Sequence, residues 1–159
     1  MARAYTAAVS ETGTHVLSVR ARFGDCDPAG IVYFPKFFDF FHQAMETWFT
    51  AIGAPYDDVI VGRKIGFPAV HTEADFRAPT RFGEAIDIEL RVEKVGTKSI
   101  RFGYRVLGEG ETEPRVTGAT VCVVMDLDPE SPGFRQALAV PDDLRGQIDA
   151  FMIGPRTVG

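Results

Sequence analysis

Five stretches of the chain alternate apolar and polar residues with a period of two, and a sixth carries the period of a helix. The first, "HVLSVRARF", sets Leu17, Val19, Ala21 and Phe23 against Ser18, Arg20 and Arg22, which predicts a half-buried strand. The clearest is "AIDIELRVEKV", with Ile86, Ile88, Leu90 and Val92 inward and Asp87, Glu89, Arg91 and Glu93 outward. "KSIRFGYRVL" puts Ile100, Phe102, Tyr104 and Val106 on one face, and "RVTGATVCVVMDL" follows across the polar "GEGETEP", as an antiparallel hairpin would. "FPAVHTEADFRAP" is a further strand.

Between the first strand and the rest lies the helical pattern. It starts near Pro35, a residue suited to the first helical position, and runs to about Ala51, with Gly53 as its stop. Lys36, Asp39, Gln43, Glu46, Thr47 and Thr50 share a narrow polar arc. Phe37, Phe38, Phe41, Met45, Trp48, Phe49 and Ile52 fill a broad opposite face, so this helix is expected to pack deeply against a sheet. A short helix, "PDDLRGQIDAFM", closes the chain with Asp142 and Asp143 in its first turn.

The predicted order is strand, long helix, then four strands in a meander, an α+β fold in one domain over 14–152. Residues 1–13 read as a polar, mobile tail and 153–159 as a second tail. Uncovered sheet edges favour a dimer that pairs them.

Composition narrows the function classes. With 159 residues, 45% apolar and 25% charged, the chain suits a soluble globular domain. A net charge of -5 argues against nucleic-acid binding. No run reaches the ~20 apolar residues of a membrane span, and no signal-peptide core is visible. The two cysteines, Cys26 and Cys122, read as reduced thiols, and a cytoplasmic location is expected. The three histidines lack zinc-ligand spacing, and there is no nucleophile-elbow or P-loop motif, so no metal or cofactor is expected.

The acid-base candidates therefore sit in "FGDCDPAGIVYFPKFF". Asp25 and Asp27 are ordinary turn formers on one reading. On the other, Gly30 lets backbone approach a ligand, and the helix end beyond can point an N–H at an oxygen. A carboxylate beside such a helix end is a minimal hydrolytic site. Cys26, flanked by two carboxylates, is a poor nucleophile.

The same stretch closely resembles the signature of hotdog-fold acyl-CoA thioesterases of the 4-hydroxybenzoyl-CoA thioesterase type. The resemblance extends in element order over about residues 14–128. It implies an antiparallel sheet wrapped around one long central helix. It further implies an acyl-CoA substrate, no cofactor beyond the CoA of the substrate, and a homodimer with shared active sites, usually a dimer of dimers.

By that resemblance Asp27 is the catalytic carboxylate, as nucleophile or general base, and Asp25 shapes the turn. The Phe34 backbone N–H, with Tyr33 as neighbour, polarises the thioester carbonyl. Gly30, Tyr33, His42 and Phe67 fall at the acyl site. Thr97, Lys98 and Ser99 in "VGTKSIR" fall where the family holds the CoA phosphates, although Gly96 and Thr97 replace arginines there; Arg77, Arg81 or Arg101 could compensate, or be plain surface residues. His42 stands where the 4-hydroxybenzoyl enzyme has an acidic residue, so the ring substituent is expected to differ. The Phe/Tyr-rich site favours an aromatic acyl group such as benzoyl. A non-catalytic acyl-CoA-binding protein of the same fold is the rival reading, with an acyl-thioester dehydratase behind it.

Overall fold

The structure is a computed structural model that describes residues 13–153 and, for the backbone alone, 6–10. Its elements run β1 (Thr6–Ser10), β2 (Thr14–Arg20), α1 (Pro35–Ala51), β3 (Ile65–Gly66), β4 (Ala69–Phe76), β5 (Ala85–Val95), β6 (Ser99–Gly108), β7 (Val116–Val123), β8 (Met125–Asp126) and α2 (Asp142–Ile153). Six strands form one antiparallel sheet in the order β1-β2-β5-β6-β7-β4, and β3 pairs with β8. This is the hotdog fold, an α+β arrangement in which the sheet curls around α1.

Two features differ from the sequence reading. Thr6–Ser10, expected to be part of a tail, pairs with β2 as an edge strand; the rest of 1–12 and residues 154–159 lie outside the described residues. The later strands are not one meander either: β5, β6 and β7 are consecutive hairpins, but β4 crosses over to pair with β7. Alternation specifies faces and not neighbours, so the crossover left no local mark.

The helix spans the expected residues, and its buried stripe is Phe37, Phe40, Phe41, Ala44, Met45, Trp48 and Phe49. Phe38 and Ile52, expected on that face, are only partly buried at its margin. Phe40 and Ala44 complete the stripe at helical spacing.

On the sheet side, Ile86, Ile88, Leu90 and Val92 of β5 and Ile100, Phe102, Tyr104 and Val106 of β6 are all buried. The Phe41 ring stacks on Tyr104 with centroids 4.3 Å apart. Gly118, opposite Tyr104 on β7, makes room, because a Cβ there would come within 2.5 Å of the Phe41 ring. Trp48 packs edge-on against Phe102 and against Phe151 of α2, which closes one end of the core.

β4 is the exposed edge. Seven of its eight residues are exposed, including Val70 and Phe76. A strand of this length with one ladder unpaired is a template for another strand.

Candidate active site

After Arg20 the first strand gives way to a tight corner. Phe23, expected inward, is 83% exposed on a single 3-10 turn over Phe23–Asp25. Alternation failed here because the chain had already left the sheet. Asp25 is 3% exposed, accepts a hydrogen bond from the Arg22 N–H at 2.9 Å, and faces Lys36 Nζ at 3.4 Å. It ties the corner to the first turn of α1.

Asp27 sits at the tip. Its N–H donates to Ile31 O, and its carbonyl accepts from the Gly30 N–H, both at 2.9 Å. Gly30 has φ +78°, and a Cβ there would meet nothing within 4 Å, so glycine is required by conformation and not by close approach. Asp27 Oδ1 accepts the Ala29 N–H at 2.8 Å. Among the described residues Oδ2 has no partner. A cavity of about 380 Å³ opens over Asp27, lined also by Phe23, Cys26, Pro28, Gly30 and Phe82. Burial, then the charges of Asp25 and Asp27, push the Cys26 thiol up, away from the reactive thiolate.

At the entry to α1 two neighbouring amides part company. The Tyr33 N–H donates to Asp25 O at 2.9 Å. The Phe34 N–H has no acceptor among the described residues, and Pro35 contributes no N–H. The orphan donor of the helix end is therefore Phe34.

His42 and Phe67 line a different cavity, about 320 Å³, between α1 and the β4–β7 edge. Phe38 and Met45 come from α1, and Thr72, Tyr104, Thr120 and Cys122 come from the sheet. His42 Nε2 lies 3.0 Å from Glu46 Oε1, and its ring meets Tyr56 edge-on. Burial pushes Cys122 up to about 11 and Tyr56 up to about 12, so both stay protonated at neutral pH.

Thr97 and Lys98 lie in the β5–β6 turn and Ser99 opens β6. Thr97 and Lys98 are exposed, and their carbonyls accept the N–H groups of Val140 and Val124. β5 starts beside the Asp27 corner, where Ala85 pairs with Arg20, and ends ten residues on. The turn therefore lies roughly 30 Å from Asp27 in the same chain. Arg101 is held by Glu73 and Glu93 at 2.8 Å each, so it is engaged already. Arg81 belongs to the segment that bridges Ile31, next to the Asp27 loop.

One chain thus brings Asp27, Gly30, Tyr33 and Phe34 to one corner, His42 and Phe67 to a second cavity, and Thr97–Ser99 to a third place. Sequence reading did not find the sheet contribution of Thr72 and Thr120, which cross-strand register alone brings together. Among the described residues no group of three or more His, Cys, Asp or Glu could hold a metal ion, and no helix is long and apolar enough to cross a membrane.

Residues 21–148 match the thioesterase-like superfamily. The chain belongs to that family. It is 32% identical over 125 residues to a 1,4-dihydroxy-2-naphthoyl-CoA hydrolase of Synechococcus elongatus, covering 78% of this chain and 87% of that one. Among solved structures it resembles the 4-hydroxybenzoyl-CoA thioesterase of Pseudomonas sp. strain CBS-3, with a TM-score of 0.74 and 26% identity over 84% of this chain and 98% of the other. A gentisyl-coenzyme A thioesterase gives a TM-score of 0.73 and 25% identity, covering 84% and 98%. The matched residues of this hotdog thioesterase, 21–148, include the corner before the long helix.

Proposed function

We propose that the protein hydrolyses an aromatic acyl-CoA to the free acid and CoA, with Asp27 as the attacking carboxylate and the Phe34 N–H as the oxyanion donor. The observation that carries this is that one corner holds both a carboxylate oxygen, Asp27 Oδ2, and an amide at the entry to α1 that have no partner among the described residues. Thioester hydrolysis needs those two groups: one to add to the carbonyl carbon, one to hold the negative charge that moves onto its oxygen. Attack by Oδ2 forms the new C–O bond, CoA leaves as thiolate, and water cleaves the resulting anhydride. Asp25 is buried and occupied by Lys36, so it is not a second base at this corner. The relatives' named acyl groups, dihydroxynaphthoyl and 4-hydroxybenzoyl, are aromatic, in keeping with the Phe-lined cavity.

A second copy of the chain supplies what one lacks. The end of β4 at Phe76 touches Phe34 and Phe37, beside the catalytic corner. Its beginning at Ala69 lines the His42–Phe67 cavity. Two β4 edges paired about a two-fold axis run antiparallel, so the end of one meets the beginning of the other. The partner's Asp27 corner then faces this chain's cavity, and each site is shared. The acyl ring lies in the cavity, bordered by His42, Phe67 and the partner's Tyr33, with Gly30 of the partner subunit in the turn that aims the carboxylate. The Thr97–Lys98–Ser99 turn is too distant to serve Asp27 of its own chain, so its phosphate contact requires a neighbouring subunit, as in a dimer of dimers. We also assign the protein to the cytoplasm, with CoA needed only as part of the substrate.

The test is free-thiol release from benzoyl-, hydroxybenzoyl-, naphthoyl- and aliphatic CoA esters, with Asp27→Asn beside wild type. Aromatic turnover lost at least ~10³-fold in the variant is the expected result. Tight binding of the esters without turnover would instead make this a binding protein.

A further inference from the structure

The turn that carries Asp27 leans on residues 79–84, the link between β4 and β5. The Val32 N–H donates to Thr80 O at 2.8 Å, and the Phe82 N–H donates to Gly30 O at 3.2 Å. Between them Ile31 forms a strand-like bridge with Arg81. The carbonyl of Ile31 in turn accepts the Asp27 N–H. Gly30, Ile31 and Val32 thus each have a partner in the link, and through Ile31 the link reaches the backbone of Asp27.

One guanidinium joins the two ends of this link. Arg115 stands just before β7, where its N–H donates to Val106 O at 2.8 Å and its carbonyl accepts the Arg77 N–H at 2.8 Å, so the sheet fixes its backbone. Its Nη1 donates to Pro79 O at 3.2 Å and to Glu84 Oε2 at 2.6 Å. The same Glu84 oxygen accepts the Arg81 N–H at 2.7 Å, from inside the link. Nε and Nη2 hold Glu111, so all three nitrogens of the largely buried guanidinium are engaged. A planar fork can serve two carboxylates and a carbonyl at once. The Arg81 N–H, and then Arg115, hold the Glu84 carboxyl below its ordinary range, so the pair is ionised at neutral pH. The backbones of Gly83 and Glu84 also pair with Ala21, which anchors the β5 end of the link. The stretch that meets the Asp27 turn, Thr80 to Phe82, is the part that Arg115 and Glu84 enclose.

Resting on the thioesterase reading above, we infer that Arg115, acting through Glu84, is a positioning residue for Asp27. It keeps Thr80, Arg81 and Phe82 where they meet the turn, and the turn keeps the carboxylate aimed. An ion pair beside a hairpin also occurs simply as surface stabilisation. That role lowers the melting temperature at most and leaves the turn as well ordered as before. Positioning predicts a loss that falls on the turn and on kcat, because a misplaced carboxylate slows attack without weakening substrate binding elsewhere.

The experiment compares wild type, Arg115→Gln, Glu84→Ala and Glu84→Gln in two ways. Steady-state kinetics use the aromatic CoA ester that wild type turns over best, and amide hydrogen exchange is read by mass spectrometry on peptides. Arg115→Gln and Glu84→Ala should lose at least ~10-fold in kcat, with KM within about threefold of wild type. In both, the peptide over residues 24–34, which holds the Asp27 and Val32 amides, should exchange at least ~10-fold faster, while peptides from β5 and β6 keep their rates. Glu84→Gln retains an oxygen for the Arg81 N–H and for Arg115, so it should stay within about threefold of wild type in kcat and in exchange. If Arg115→Gln does not fold, Glu84→Ala, which leaves Arg115 its Glu111 and Pro79 partners, decides the matter alone. Wild-type kcat and wild-type exchange of the turn in Glu84→Ala overturn the inference and leave the thioesterase reading standing. Faster exchange spread equally over β5, β6 and the turn does the same. Absence of turnover on every aromatic ester in wild type overturns both.

Discussion

Asp25 and Lys36 face each other at 3.4 Å, and that contact joins the turn carrying the proposed catalytic carboxylate to the first turn of the central helix. Asp25 also receives the Arg22 N–H, and its own carbonyl receives the Tyr33 N–H. One buried aspartate thus holds both sides of the corner. Among the described residues, Asp27 Oδ2 and the Phe34 N–H at the same corner are left without partners.

Replacing Asp25 should therefore damage both stability and turnover. Asp25→Ala removes the acceptor of the partly buried Arg22 N–H and the partner of Lys36, which costs about 1 kcal/mol. It also frees the loop, so kcat should fall by at least ~10-fold without a matching rise in KM. Urea melts and steady-state kinetics on the same preparation check this. A destabilised variant with normal kcat would mean the corner is held by other contacts.

The assignment of the oxyanion donor to Phe34 can be separated from the role of its ring. Phe34 has φ -53°, which proline adopts without strain, and its N–H bonds to nothing among the described residues. Phe34→Pro removes that N–H, whereas Phe34→Ala removes the ring and keeps it. The proline variant should lose ~10²–10³ in kcat, and the alanine variant much less. Equal losses in the two would point to the ring.

How far the sequence went is clearest at this corner and at β4. The helix from Pro35 to Ala51 was legible because proline, an uninterrupted helical period and Gly53 marked both ends and the face. The inward faces of β5 and β6 were legible for the same reason. Phe23 was misplaced because alternation continues in the letters after the backbone has turned. The place of β4 beside β7 was hidden, since register across a crossover is set by packing between distant segments. Asp27 stood out by resemblance, but the contrast between the Tyr33 and Phe34 amides is a matter of hydrogen-bond partners. No spacing encodes it.

Sharing of the site between subunits predicts complementation. Asp27→Asn removes the attacking group, and His42→Trp, on the half-exposed face of α1, fills the cavity without disturbing the core. Each homodimer should be inactive. Mixed by co-expression, the hybrid dimer has one site with both lesions and one with neither, so about a quarter of wild-type activity should return. Mixtures as inactive as their parents would place the whole site within one chain. Val70→Lys, on the exposed edge of β4, should abolish activity and yield monomers by light scattering.

The last prediction concerns a histidine outside the site. His15 on β2 is wholly buried, with Nε2 2.8 Å from Thr47 Oγ1. The Thr47 proton is directed to the carbonyls of Gln43 and Ala44, so Nε2 carries the hydrogen and donates. Nδ1 is then a bare nitrogen with no partner among the described residues. Burial lowers the pKa of the imidazole from 6.5 to about 4. Between those values the unfolded chain takes up a proton that the folded chain refuses, so stability rises with pH across the window and is lost as pH falls from 6.5 towards 4. The carboxylates of Glu73, Glu84, Glu111, Asp128 and Asp143, all held low by partners, begin to lose their contribution at the acid end of that window, as the pH falls through the ordinary carboxylate range, and lose the rest below it. His15→Leu should therefore flatten the melting temperature between pH 6.5 and 4 and leave the steeper acid loss below it. A slope unchanged in the variant would show that another group takes up the proton.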